Sequence, residues 1–188
     1  TESIYSEASR RASAELGFPF DEAFYHANFV GKRLIDSEAF LRSHFGADYP
    51  IDAYRALSDR YLREQFARGV PLKPGLMELL AWLEANTIRK VIATSTVREL
   101  ALLTLGDLAG RFESLSTGDE VVNGKPAPDI FLLAASRLGH DPAECIVLED
   151  SQAGVRAAHA AGTQPIWVPD LQTPSPAVSA LAKHVCSS

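Results

Sequence analysis

From residue 90 onward, short apolar runs alternate with helical patterns, and this alternation limits the fold more than any other feature of the chain. The links between successive segments are short, so the pattern predicts an α/β fold built on a doubly wound parallel sheet. The predicted strands cover residues 90–94, 114–117, 145–148 and 165–168, and the predicted helices cover 97–108, 130–138 and 154–161.

The preceding part of the chain contains helical patterns and no convincing strand. Its four predicted helices cover 3–16, 21–30, 36 or 37 to 44, and 51–68. The Gly- and Pro-rich segment 69–75 is the best domain boundary. We therefore expect a helical bundle over residues 1–69 and the α/β domain over residues 70–188, with at most one short helix after residue 171.

Composition excludes some classes of function. No run of about 18 apolar residues is present, and a net charge of −6 argues against a nucleic-acid partner. The first residues lack a signal-peptide pattern, and Cys145 and Cys186 are expected to be free thiols. We expect a cytoplasmic protein, a monomer or weak homodimer, with neither membrane nor nucleic acid as partner.

Polar side chains follow the ends of the predicted strands, where open α/β sheets bind their ligands. Thr94 and Ser95 precede a helix start, whose backbone N–H groups suit phosphate oxygens. The alternative is that they only cap that helix. Lys125 lies in a loop between Gly124 and Pro126, where its charge can neutralise a phosphoryl group or be simply solvated.

Two adjacent acids end the third predicted strand. Glu149 and Asp150 offer hard oxygen ligands of the kind that Mg²⁺ takes together with water and substrate phosphate. The alternative is an ordinary helix start, in which Asp150 or Ser151 caps the following helix. Together with the hydroxyls and the lysine, the acids predict a magnesium and phosphate site.

Other chemistries find no support in the sequence. The five histidines have no zinc-ligand spacing. No Gly-x-Gly-x-x-Gly follows a strand, which argues against a dinucleotide-binding dehydrogenase. No Gly-x-Ser-x-Gly nucleophile elbow is present, which argues against a Ser-His-Asp hydrolase.

Three segments resemble the second, third and fourth motifs of the haloacid dehalogenase superfamily: 93–96 (Ala-Thr-Ser-Thr), 124–129 (Gly-Lys-Pro-Ala-Pro-Asp) and 148–154 (Leu-Glu-Asp-Ser-Gln-Ala-Gly). The branch most similar contains β-phosphoglucomutase, pseudouridine-5′-phosphatase and small sugar-phosphate phosphatases. The resemblance covers nearly the whole chain and implies a Rossmann-like core with an α-helical cap domain.

The resemblance also implies roles for individual residues. Thr94 would bind the transferring phosphoryl group, and Lys125 would hold the charges of nucleophile and phosphate together. Asp150 would bind Mg²⁺ directly. Glu149 would either be a second ligand of the ion or contact the groups that bind it. Asp129 is expected to order the Lys125 loop rather than to take part in chemistry.

The implied reaction is Mg²⁺-dependent hydrolysis of a small phosphorylated metabolite, a sugar phosphate or a nucleotide-like compound, through an aspartyl-phosphate. The cap would close over the site and select the substrate. Gly31, Lys32 and Arg33 are the candidate substrate contacts from the cap, and Arg98 could face the same cleft; the alternative is an ordinary solvated basic loop. A phosphosugar mutase and a non-catalytic protein with a relic site remain open.

The superfamily's first motif, which carries the nucleophile, has no counterpart. No Asp-x-Asp occurs in the 188 residues, and Thr1-Glu2 resembles only the tail of that motif. We therefore expect the nucleophile, the acid/base and a central strand to precede residue 1. The same reasoning predicts a gap one strand wide between the strands that carry Thr94 and Glu149.

Overall fold

The computed structural model describes residues 2–187, so that Thr1 of the motif-like start lies outside the described part. The chain divides into two compact units, one ending at Val70 and the other beginning at Pro71. Each unit is described by itself. Within residues 2–187 no helix is both long and apolar enough to cross a membrane.

Within its described residues, 2–70, the first unit contains four helices. Small residues of the first helix, among them the buried Ala8 and Ala12, let it pack closely against the fourth. Tyr5 contacts Phe66 edge to face, with ring centroids 5.9 Å apart, and the predicted N-cap Asp21 accepts a hydrogen bond from the Phe24 backbone N–H at 2.6 Å. The helices are α1 Glu2–Glu15, α2 Glu22–Asn28, α3 Leu34–Phe45 and α4 Ile51–Phe66.

The third helix begins at Leu34, two or three residues before the predicted start at residue 36 or 37. Arg33 occupies its N-cap position and forms a two-pronged ion pair with Asp36 in the first turn, with both N–O distances 2.8 Å. An acidic side chain is favourable there because the helix N-terminus carries partial positive charge. The Arg33–Asp36 ion pair therefore stabilises a first turn that includes Leu34 and Ile35.

The second unit alternates helices with parallel strands, which confirms the predicted α/β class. One sheet has the order β1-β2 and the other β3-β4-β5. The elements are α5 Leu76–Ala85, β1 Ile92–Ala93, α6 Arg98–Leu105, β2 Leu115–Ser116, α7 Asp129–Leu138, β3 Ile146–Glu149, α8 Gln152–Ala160, β4 Gln164–Trp167, α9 Pro176–Ser179 and β5 His184–Val185, with 3₁₀ turns at Gly106–Arg111, Gly118–Glu120 and Pro142–Glu144.

Strands β1 and β3 belong to different sheets but pack against the same group of side chains. Ala93 of β1 and Val147 of β3 both contact the apolar cluster that α7 and α8 form. Within the described residues no ladder joins the two strands. A central strand between them, supplied from outside this sequence, stays a prediction. The cluster consists of Ile130, Phe131, Ala157, Ala158 and Ala161.

The last segment adds more structure than the sequence predicts. The short helix α9 is followed by β5, which extends the second sheet through pairing with β4. Val178 of α9 packs on Trp167 and Val155, and all three side chains are fully buried. This packing holds the last segment against the sheet.

Candidate functional site

The Thr94 segment leaves the carboxyl end of β1 and runs into α6. The Thr94 N–H donates to the Ser116 carbonyl at 2.9 Å, which continues the parallel ladder beyond the strand. The Thr94 hydroxyl accepts from the Thr96 N–H at 3.2 Å, and the Thr96 carbonyl accepts from the Gly118 N–H at 3.1 Å. Thr94 and Ser95 are half-buried. The segment is thus held from both sides at the edge where ligands of α/β sheets bind.

Glu149 is the last residue of β3, and both oxygens of its buried carboxylate accept hydrogen bonds. Its Oε1 accepts a hydrogen bond from the Lys125 ammonium group. Its Oε2 accepts from the Asp150 N–H, the Ser151 N–H and the Ser151 hydroxyl, each at 3.0 Å. Charged groups are this deeply buried only when they are paired and hydrogen-bonded, and this carboxylate is both.

Lys125 is held in place by its own loop. The ammonium group lies 4.9 Å from the centroid of the Phe131 ring in addition to its contact with Glu149. The loop closes through a hydrogen bond from the Ala127 N–H to the Gly124 carbonyl at 3.0 Å. Asp129 accepts from the backbone and side-chain nitrogens of Asn123 at 3.1 and 3.0 Å, a position that orders the loop.

The charge of Glu149 is maintained against a large desolvation cost. Burial raises the pKa of the Glu149 carboxyl, because a charge in a region of low dielectric is unfavourable. The charge of Lys125, its hydrogen bond and the donors of Ser151 outweigh this effect and lower the pKa below its ordinary value. Glu149 is therefore ionised near neutral pH.

Ser151 and Gly154 complete the surroundings of this carboxylate. The Ser151 hydroxyl accepts from the Gly154 N–H at 3.0 Å and so caps α8. A Cβ atom at Gly154 would overlap the Glu149 carboxyl group. The helix start that the sequence offers as the alternative is therefore present, and it also encloses the buried acid, whereas the magnesium site stays a prediction.

Asp150 is fixed through its backbone on both sides. Its N–H donates to Glu149, and its carbonyl accepts from the indole N–H of Trp167 at 3.1 Å. Trp167 itself is fully buried. These bonds set the direction in which the half-buried Asp150 leaves the end of β3.

The donor set fits a Mg²⁺ ion bound through few protein ligands. In residues 2–187 no three His, Cys, Asp or Glu side chains converge as a metal cage. Mg²⁺ commonly takes one or two carboxylates and completes its shell with water and substrate phosphate. Asp150 offers such a carboxylate, whereas the geometry of Glu149 favours its role as the partner of Lys125.

The remaining predicted contact residues have partners of their own. The Arg98 guanidinium donates to the Leu115 carbonyl at 2.7 Å and to Glu120. In the first unit, the Gly31 N–H donates to Glu2 at 3.3 Å, and Arg33 pairs with Asp36. The Lys32 ammonium group lies 5.6 Å from the centroid of the Phe40 ring. Substrate contact by Gly31, Lys32, Arg33 or Arg98 stays a prediction.

Sequence reasoning missed two groups around the site. Gly154 ends the fourth motif and begins a predicted helix, but the sequence does not indicate that the buried acid beside it requires the absence of a side chain. Glu120 was not singled out, although Thr117-x-x-Glu120 has the spacing of a capping box. That spacing is a signal which a pass along the chain can detect.

The haloacid dehalogenase-like hydrolase family model matches residues 2–162. This chain belongs to the haloacid dehalogenase-like hydrolases. It is therefore a hydrolase of the superfamily that its motifs indicate, and both the predicted family and the predicted enzyme class are confirmed.

Individual members of the family resemble the chain over most of its length. It is 32% identical over 169 residues to a phosphorylated carbohydrates phosphatase of Thermotoga maritima, covering 89% of this chain and 78% of the relative. It is 34% identical over 180 residues to a probable pseudouridine-5′-phosphatase of Drosophila melanogaster, covering 90% and 76%. The crystal structure of CbbY from Rhodobacter sphaeroides in complex with phosphate matches with a TM-score of 0.84 at 28% identity, covering 99% and 87%.

Proposed function

We propose that this hydrolase is a Mg²⁺-dependent phosphatase of a small phosphorylated metabolite, a sugar phosphate or a nucleotide-like compound. The observation that carries the proposal is the buried Lys125 beside Glu149 at the end of β3. Lys125 is a cation held in a fixed position, and Asp150, the residue after Glu149, offers a carboxylate suited to Mg²⁺. Positive charges held in this way can stabilise the negative charge of a phosphoryl group during its transfer. The names of the two relatives, a phosphatase of carbohydrates and one of a nucleotide-like compound, support the substrate class.

Phosphate recognition is assigned to the Thr94 segment and Lys125. The hydroxyls of Thr94 and Ser95, which precede the start of α6, would supply hydrogen bonds to phosphate oxygens. Lys125 supplies the positive charge that offsets the charge spread over those oxygens in the transition state. Glu149 is paired with the Lys125 ammonium group and restricts its motion.

Asp150 is the residue that would hold Mg²⁺. When bound, the ion supplies a second positive charge to the phosphate oxygens. The Asp150 backbone is already fixed by Glu149 and Trp167, so its carboxylate needs little rearrangement to take up this role. An aspartyl-phosphate route requires in addition a nucleophilic aspartate, for which residues 1–188 contain no Asp-x-Asp.

Release of inorganic phosphate from a panel of sugar phosphates and nucleotides, with and without Mg²⁺, tests the proposal. The assay uses the protein in its full natural length. We expect Mg²⁺-dependent release that Lys125→Met abolishes, whereas Lys183→Met, at an exposed lysine of the same unit, retains it. No release from any substrate would instead favour a binding protein with a relic site. Conversion of a sugar 1-phosphate to its 6-phosphate without release would identify a mutase.

A further inference from the structure

The Glu120 carboxylate binds groups from three different elements. It accepts from the backbone N–H and the hydroxyl of Thr117, both at 2.9 Å, at the end of β2. Arg98, the first residue of α6, donates to both of its oxygens at 3.1 Å. Arg137, in the last turn of α7, donates to them at 2.8 and 3.0 Å. One side chain therefore ties together β2, α6 and α7.

The same two arginines also bind the end of β2 directly. Arg98 and Arg137 each donate to the Leu115 carbonyl at 2.7 Å, and Arg137 also donates to the Ser116 hydroxyl at 3.0 Å. Glu120 sets the direction of both guanidinium groups because each is paired with it. Its carboxylate thus controls where residues 115–117 sit relative to α6.

The Thr94 segment depends on this turn for its position. Its backbone is bonded to the Ser116 carbonyl at one end and to the Gly118 N–H at the other. The first backbone N–H of α6, that of Arg98, donates to the Asp119 carboxylate at 3.2 Å. Every one of these contacts lies within the four residues that precede Glu120. A shift of that turn therefore moves the segment that presents Thr94 and Ser95.

At Thr117 no solvent is present to replace a lost contact. Ser116 and Thr117 are completely buried, so a Thr117 N–H without Glu120 would stay unsatisfied unless the turn moved. Hydrogen bonds from Arg137 lower the pKa of the Glu120 carboxyl far below its ordinary value, and those of Thr117 and Arg98 act in the same direction. The carboxylate is charged across the working pH range.

We propose that Glu120 is a positioning residue of the phosphate site, which holds the Thr94 segment in its phosphate-binding geometry through Arg98, Arg137 and the 117–119 turn. The proposal rests on the function proposed above, since it assigns the support of that same site. Glu120 touches no phosphate itself. Its loss displaces the groups that do.

The test compares Glu120→Gln with Glu113→Gln. Glu113 is also held by an arginine, Arg89, at 2.6 to 3.1 Å, but it precedes β2 and so lies at the opposite end of the strand. The dissociation constant of orthophosphate is measured by titration calorimetry in the presence of Mg²⁺, with the protein in its full natural length. We expect an increase of about tenfold for Glu120→Gln and of less than about twofold for Glu113→Gln.

A double-mutant cycle separates positioning from a loss of stability. If Glu120 acts through the Thr94 segment, its substitution costs less in a Thr94→Val background, where we expect its effect on phosphate binding to fall below about twofold. An equal effect in both backgrounds, or equal affinities of Glu120→Gln and Glu113→Gln, overturns the inference. If the unmutated protein binds no orthophosphate, the proposed function fails, and this inference fails with it.

A second variant covers the case in which Glu120→Gln does not fold. Arg137→Gln removes one of the two arginines and leaves the Thr117 contacts of Glu120 in place. Arg89→Gln is its control at the opposite end of β2. We expect phosphate binding to weaken about threefold for Arg137→Gln only. Unchanged affinity in Arg137→Gln overturns the inference.

Discussion

Lys125 and Glu149 form an ion pair that is almost completely shielded from water, with 6% and 7% of their side chains exposed. A pair in this position adds little stability in itself, because both charges have lost their hydration. Breaking it is costly, because the remaining charge stays buried without a partner. The pair thus fixes a cation at the end of β3, where the proposed phosphate site needs one.

Glu149→Gln is expected to destabilise the protein by about 3 kcal/mol, since it leaves the Lys125 charge buried beside a neutral amide. The free energy of unfolding is measured by urea denaturation. Glu144→Gln, at an exposed position shortly before the same strand, is the control and should change stability little. Adding Lys125→Met to Glu149→Gln should cost less than Lys125→Met alone. If the losses in the free energy of unfolding of the two single variants simply added up in the double variant, the coupling of Lys125 to Glu149 would be contradicted.

Gly154→Ala is expected to destabilise the protein by about 1 to 3 kcal/mol, because the added methyl group overlaps the Glu149 carboxyl. Gly110→Ala is a matched control, since its Cβ would lie in open space. Thermal unfolding compares the two variants, and orthophosphate titration shows whether the displaced carboxylate also disturbs the site. Equal stability of the two variants would contradict the close packing of Gly154 on Glu149.

Trp167 should report on ligands of Asp150, because its indole N–H donates to the Asp150 carbonyl. The chain has two tryptophans, and Trp82 is exposed, so Trp82→Phe leaves only the buried one. In this variant, we expect addition of Mg²⁺ and phosphate to change the fluorescence, and Asp150→Asn to abolish the Mg²⁺-dependent part. A Mg²⁺ response that survives in Asp150→Asn would place the metal elsewhere.

Acid should weaken the second unit through Glu84. Hydrogen bonds from Arg111 and Lys90 lower the pKa of the Glu84 carboxyl to about 2. The pKa of the Glu84 carboxyl is lower in the folded than in the unfolded protein, so the contacts of ionised Glu84 with Arg111 and Lys90 stabilise the fold at pH values above the ordinary pKa of a glutamate. This stabilisation is lost as pH falls from about 5 to about 2. Urea midpoints across this range should fall less for Glu84→Gln than for the unmutated protein or for Glu78→Gln, an exposed position on the same helix. If the urea midpoint of Glu84→Gln fell with pH as steeply as that of the unmutated protein, this role of Glu84 would be contradicted.

The sequence predicted the features that depend on local chemistry. Asp21 and Ser151 cap their helices as their side chains allow, and the strand ends carry the residues expected of them. The boundaries were less accurate. The sixth helix ends at Leu105 instead of continuing to residue 108, because Gly106 takes a positive φ of 50° and a 3₁₀ turn follows.

Long-range pairings were beyond a reading of the sequence. Glu120 meets Arg137 across 17 positions, and Lys125 meets Glu149 across 24, so that only the packed fold brings them together. Strand β5 has two residues and depends on β4 for its hydrogen bonds, which leaves no periodic signal. The local pattern indicated where the site lies, and the tertiary contacts show which residues support it.

The central claim, a Mg²⁺-dependent phosphatase site built around Asp150, is tested most directly by phosphate release in the protein of full natural length. Asp150→Asn is compared with Asp107→Asn, at an exposed position of the same unit, across a titration of Mg²⁺. The account predicts that Asp107→Asn retains Mg²⁺-dependent release and that Asp150→Asn loses it. Undiminished Mg²⁺-dependent release by Asp150→Asn would contradict it.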